Sequence, residues 1–216
     1  LQGRFIVLDG GEGCGKSTQV RMLRDRLLAE GRSVLTVRDP GTTRIGERIR
    51  AILLDPDHRE MGMRCEMLLY MSARAQLMHE VVLPALGDGQ DVISDRFVSS
   101  TLAYQLGGDG LTSAQILQVA QVAVRDRMPD LVIILDMPVE SSMKRVNPKF
   151  ISLFPDADPP EPSKDRIELR PTEYHQRVRE NYLAQARENP SIYRIVDADR
   201  DASSVHEQIW KHVAAL

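Results

Sequence analysis

The run FIVLDGGEGCGKSTQ, Phe5–Gln19, sets Gly10, Gly11, Gly13 and Gly15 close together and follows them with Lys16, Ser17 and Thr18. Gly10-x4-Gly15-Lys16-Ser17 fits the GxxxxGK[ST] phosphate loop, and its context fits as well: an apolar strand ends at Asp9 and a helix is predicted from Lys16. Bare backbone lets successive N–H groups turn inward around phosphate oxygens. The helix that follows adds the partial positive charge of its N-terminus. Lys16 is then placed to bridge the β and γ phosphates of ATP, and Ser17 to hold Mg²⁺. The expected ATP contacts are therefore Gly10, Gly11, Glu12, Gly13, Cys14, Gly15, Lys16, Ser17 and Thr18. The marks of a GTPase are absent: no Asp is followed three positions later by Gly, and no Asn by Lys. A kinase acting on a small molecule needs a second pocket for the acceptor, so the remaining cationic and aromatic residues carry the next question.

The elements that must position these groups follow from hydrophobic patterning. Short apolar runs predict strands at 5–8, 33–37, 91–94, 131–136 and 193–196. Amphipathic runs predict helices near 16–30, 44–54, 62–86, 98–106, 112–125, 139–146, 171–188 and 202–214. Alternating βα units with unbroken apolar strands imply an α/β, doubly wound, five-stranded parallel sheet flanked by helices, of the P-loop NTPase type. With 216 residues, 42% of them hydrophobic, the chain is read as one domain, 1–216. Pro148, Pro155, Pro159, Pro160 and Pro162 exclude a continuous helix between two helices, so about 147–170 reads as a lid, or else as a disordered surface insertion. A net charge of −3 with interspersed signs argues against a nucleic-acid-coating surface or a basic membrane patch. Cys14 and Cys65 form no CxxC pair, the apolar runs are too short for a membrane span, and Phe5–Leu8 is too short for a signal peptide; a cytoplasmic protein is expected.

Four segments supply a second pocket: RDPGTTRIGERIRAILL (38–54), EMLLYMSARAQ (66–76), DRFVSSTLAYQ (95–105) and KDRIE (164–168). Together with LDGGEGCGKSTQ they resemble thymidylate kinase, nearly end to end, up to YRIVDA near the C-terminus. The resemblance implies ATP-dependent phosphorylation of dTMP to dTDP in dTTP synthesis, with Mg²⁺ and a homodimer, the latter through the 62–86 and 112–125 helices. It places Asp39-Pro40-Gly41 and Arg50 by the acceptor phosphate, Tyr70 against the thymine ring and Arg74 at the base. Thr101, Tyr104 and Gln105 fall at base-edge and sugar-side positions, and Glu12 near the acceptor sugar or the metal. Arg96 of Asp95-Arg96 would reach the phosphates, with Asp95 orienting it or supporting Mg²⁺. Each has a plainer reading: Tyr70 and Tyr104 as core, Arg50 and Arg74 as ion-pair partners, Asp9 and Asp136 as turn caps rather than metal helpers through water. Met61, Met63 and Met67 fit either a partner face or the core.

The acceptor is already an oxyanion, because a phosphate monoester has a second pKa near ~6. The chemistry then consists of positioning and charge neutralisation, with Lys16, Arg96 and a lid cation as candidates. The phosphate loop holds no arginine, which resembles the bacterial arrangement with a lid arginine. Arg166 of DRIE matches that arginine and is the expected catalytic cation, ahead of Arg145, Lys149 and Lys164; Arg145 is also expected at the ATP. The segment VNPKFISLFPDADPPEPSK departs from the usual short, arginine-dense lid.

Overall fold

The computed structural model describes residues 3–125, 127–146 and 165–216. Five strands, β1 (Phe5–Gly10), β2 (Val34–Arg38), β3 (Asp91–Asp95), β4 (Leu131–Asp136) and β5 (Tyr193–Asp197), form a parallel sheet in the order β2-β3-β1-β4-β5. Side chains alternate across a strand, so β1 feeds two cores. Phe5 and Val7 join a cluster with Val92, Val132 and Ile134, whereas Ile6 and Leu8 face Ile93, Ile133 and Leu135 on the other side. Helices cover both clusters, which is why the strands read as apolar runs without alternation. On one face lie α3 (Met63–Leu77), α5 (Val98–Gln105), α6 (Ser113–Val124) and α8 (Thr172–Glu188). On the other lie α1 (Lys16–Ala29) and α9 (Ala202–Val213). The helices α2 (Arg44–Leu54), α4 (Leu83–Gly87) and α7 (Val139–Val146) complete the described elements, with a short 3₁₀ turn at Gly108–Gly110.

Expected and observed boundaries differ by one or two residues, with one real departure. The helix expected over 62–86 is α3 followed by a π turn at Met78–Val82 and then α4. Pro84 lies in the first turn of α4 and offers no N–H to the helix ladder, and a π turn ahead of it is how such a break is absorbed. Met67 belongs to the core and Met63 packs against it. The expected lid lies largely outside the described residues, and only 165–170 of it can be placed.

Parallel strands bring every carboxyl end to one edge, where ligands of this architecture bind. Register sets Leu8 beside Asp95, Arg38 beside Asp95 and Gly10 beside Leu135. The phosphate loop, the Asp39-Pro40-Gly41 turn, Arg96 and Asp136 all emerge from that edge.

Candidate active site

The phosphate loop is shaped by its backbone. A Cβ on Gly10, at φ 143°, would stand 2.6 Å from the Leu135 carbonyl oxygen, so the closest approach of β1 to β4 requires glycine there. Gly15, at φ 93°, forms the N-cap of α1 without a side-chain cap, leaving the first N–H groups of the helix available to an anion. Lys16 folds back over the loop and donates to the carbonyls of Gly11 at 2.7 Å and Gly10 at 3.3 Å. Ser17 donates to Asp95 at 3.1 Å, bringing the two expected metal-side residues together. The Cys14 side chain packs into the core, and burial pushes its thiol up, so only its backbone faces a ligand.

Among the clefts at this edge, two gather most of the expected residues. One, of ≈ 500 Å³, is lined by all ten residues expected for the acceptor: Glu12, Asp39, Pro40, Arg50, Tyr70, Arg74, Arg96, Thr101, Tyr104 and Gln105. Leu54, Ser100, Asp165 and Ile167 complete its wall and were not assigned from sequence. The second, ≈ 850 Å³ and open to solvent, is lined by Lys16, Ser17, Thr18, Gly13, Gly15 and Asp95, with Arg38 as an unforeseen cation. Glu12, Arg50 and Arg96 line both clefts, so the two meet at these side chains. The signal for Arg38 was its place: it ends β2, directly before the Asp-Pro-Gly turn.

Arg96 is held by an unusual amount of structure. Its own φ of 73° lies in the left-handed region, a strained setting for a residue with a side chain. Its guanidinium donates to Glu12 at 2.5 Å, to Gly10 O and Ser100 Oγ at 3.1 Å, and to Tyr182 Oη at 3.3 Å, and it stacks 5.1 Å from the Tyr104 ring centre. Burial would raise the Glu12 carboxyl, but Arg96, Lys16 and the Tyr104 hydroxyl hold it down at about 2. Behind Arg96 stands Asp9, fully buried, which accepts from Ser99 at 2.6 Å, Ser100 at 2.7 Å, Tyr182 at 2.6 Å and its neighbour's N–H at 2.9 Å. With these four bonds accepted and Arg96 Nη1 3.5 Å away, Asp9 braces Arg96. Asp136 likewise accepts two bonds from Arg179, at 2.7 and 2.9 Å.

On the base side, Arg74 is buried and donates to Asp39 at 2.5 Å, and to Thr101 Oγ1 and Phe97 O at 3.0 Å. Arg50 donates to Pro40 O at 3.2 Å, and burial lowers its pKa. Tyr104 donates to Glu12 at 2.9 Å. Tyr70 lines the cleft, and burial pushes its phenol up.

Two of the expected lid cations, Arg166 and Arg145, lie among the described residues. Arg166 does not face the phosphate cleft: it is 7% exposed, donates to Leu53 O at 2.9 Å and pairs with the buried Glu66. A guanidinium committed to a buried carboxylate is an anchor, and its neighbours Asp165 and Ile167 thereby form cleft wall. Arg145 lies against the loop after β5, 3.4 Å from Asp199 and 3.5 Å from Ala198 O, and lines neither cleft. Lys149 and Lys164 lie outside the described residues.

One pH dependence follows from this region. His175 is buried and feels the charges of Glu12, Arg170 and Asp165, and among the described residues its Nε2 has no partner. Burial holds its imidazole below the ordinary 6.5, so the unfolded chain protonates first. The stability it contributes is fully present above about pH 6.5 and is lost as the pH falls through the lowered value. The melting temperature of the wild type should therefore fall more steeply on acidification from about pH 7.5 to about 5.5 than that of His175→Gln. Parallel curves would refute this.

A sequence profile of the thymidylate kinase family matches residues 8–209. The chain is 40% identical to the thymidylate kinase of Alcanivorax borkumensis, with 100% of this chain and 98% of that protein aligned. It is 41% identical to that of Desulforudis audaxviator, covering 100% of this chain and 92% of that protein. To the thymidylate kinase of Chlamydia pneumoniae it is 36% identical, over 96% of each chain.

Proposed function

Because the chain belongs to the thymidylate kinase family, whose members use ATP to phosphorylate dTMP to dTDP, we propose that its two clefts hold the two nucleotides of that reaction. Transfer occurs where the clefts meet. The observation that carries this reading is the shared lining: Glu12, Arg50 and Arg96 belong to both. A transferring group lying between a donor phosphate on the loop and an acceptor phosphate near Pro40 passes these side chains.

The acceptor phosphate is largely dianionic at neutral pH, so the protein supplies no general base. It supplies alignment and positive charge. Lys16 and the open N-terminus of α1 receive the donor phosphates, with Arg38, Arg50 and Arg96 around the gap. Ser17 and Asp95 fit Mg²⁺: a hydroxyl and a carboxylate 3.1 Å apart are hard oxygen donors, and this ion takes one or two carboxylates plus substrate phosphates. An ion held by these two residues would supply positive charge against the donor phosphates. Tyr70 stacks on the base, Arg74 and Thr101 donate to its edge, and Tyr104, tied to Glu12, crowds the 2′ carbon of the sugar.

The assembly is a cytoplasmic homodimer of single-domain subunits. Support comes from exposed apolar side chains on α3 and α6, Leu68, Leu117 and Val122, the last 83% exposed. No helix among the described residues is long and apolar enough to cross a membrane. The test is coupled ADP release with ATP, Mg²⁺ and dTMP, dUMP, UMP or AMP in turn. Turnover greatest with dTMP, with Ser17→Ala raising the Mg²⁺ concentration needed, is expected. ADP release that needs no acceptor would replace this reading with hydrolysis, and UMP or AMP preferred over dTMP would reassign the cleft.

A further inference from the structure

Glu66 has no exposed surface and stands one helical turn before Tyr70 on α3. Its Oε2 receives Arg170 at 2.5 Å and also Arg166, and its Oε1 receives Gln105 Nε2 at 2.7 Å. A carboxylate between two guanidiniums only accepts, so the amide of Gln105 must turn its NH₂ toward it. The orientation of this amide is thereby forced by its partner. Gln105 is itself buried and lines the acceptor cleft, which leaves its carbonyl Oε1 as the polar end for the cleft. Beside it, Thr101 Oγ1 already accepts from Arg74, so the hydroxyl hydrogen of Thr101 remains to donate.

We propose that Glu66 is a positioning residue for base selection: by fixing Gln105 with its carbonyl toward the cleft, it demands a ring N–H on the acceptor base and rejects a base that presents a lone pair there. The inference rests on the reading of this cleft as the dTMP site. Donors at Arg74 and Thr101 next to an acceptor at Gln105 match the adjacent carbonyl and ring N–H of thymine or uracil. Cytosine offers an amino group and a lone pair, mismatched at both places.

Glu66→Gln turns this into a measurable reversal. The two arginines hold the carbonyl of the new amide, its NH₂ meets Gln105, and Gln105 rotates to present NH₂ to the cleft. Then kcat/KM falls together for dTMP and dUMP, while the ratio of dTMP to dCMP shifts about tenfold to a hundredfold toward dCMP. A parallel fall for all three acceptors would show a merely structural role and overturn the proposal. Arg170→Gln alone loosens the same cluster without touching Gln105, and should leave the ratio as it is; a shift there overturns the proposal as well. If Glu66→Gln gives no cooperative melt, the charge-matched pair Glu66→Gln with Arg170→Gln reads the same ratio, and no shift in it refutes the idea. Wild-type turnover in the same assay separates the two failures. With dTMP active and the ratio unmoved, only the role of Glu66 falls; with dTMP inactive, the assignment of the cleft falls first.

Discussion

Arg96→Ala lowers kcat for dTMP phosphorylation by about 10³-fold or more at saturating ATP and dTMP, the scale of removing a cation aimed at a transferring phosphoryl group. Arg96 lines both clefts, and five contacts fix its guanidinium: Glu12, Gly10 O, Ser100, Tyr182 and the Tyr104 ring. Positioning at that density costs nothing at the moment of reaction, which is where preorganised charge gains its effect. The same density brings a structural penalty. Without Arg96, the buried Asp9 and the half-buried Glu12 lose their cation, so roughly 3–5 kcal/mol of stability is at stake. Kinetics must therefore be read well below the melting temperature of the variant. Arg96→Lys separates the two effects, because an ammonium keeps the charge but cannot reproduce the fork on Glu12 and the Gly10 carbonyl. It should recover much of the stability and little of kcat. A folded Arg96→Ala enzyme with kcat within about tenfold of wild type would remove Arg96 from the chemistry.

What could be read from the sequence and what could not divide along sequence distance. The strands and the phosphate loop are announced by local patterns, an apolar run that stops and a glycine cluster, whereas the ten residues that line one cleft together were picked out by the resemblance alone. Contacts between distant segments leave no such trace. Arg166 matches a lid arginine by motif, and nothing near it in the chain predicts Glu66, 100 positions away, as its partner. Glu66 in turn reads as one more polar residue in the first turn of a helix. Asp9 reads as a metal helper through water or as a turn cap, and no local pattern announces the bond it accepts from Tyr182, 173 positions on. Arg38 adjoins the Asp39-Pro40-Gly41 motif but has no spacing signal of its own. The π turn before Pro84 leaves no mark in the sequence, because the apolar pattern runs through it unchanged while the hydrogen-bond register shifts.

Arg74→Met lowers stability by about 3–5 kcal/mol, and the melting temperature by roughly 6–20 °C at this chain length, more than loss of base contact alone explains. Arg74 and Asp39 are each 1% exposed and 2.5 Å apart, and the other Asp39 oxygen, Oδ1, has no partner among the described residues. Burial pushes the Asp39 carboxyl above its usual 3.8, and Arg74 pulls it back only in part. Removing the guanidinium leaves a buried carboxylate that must either stay charged at great cost or take up a proton. The sign of the pH dependence follows. A folded-state pKa raised further above the unfolded value means that the deficit of the variant is smallest at low pH and grows as the pH rises toward the new folded value. The double variant Asp39→Asn with Arg74→Met removes the charge that needed compensation, so it should be more stable than Arg74→Met alone at neutral pH. Its acceptor KM should remain high, since Arg74 is still missing from the cleft wall. Thermal melts of the four proteins at about pH 5 and about pH 8 close the cycle. If the two substitutions add without coupling, or if the deficit of Arg74→Met does not change with pH, then the pair is not the buried ionic contact that ties the Asp-Pro-Gly turn to α3, and the acceptor cleft is held together by packing alone.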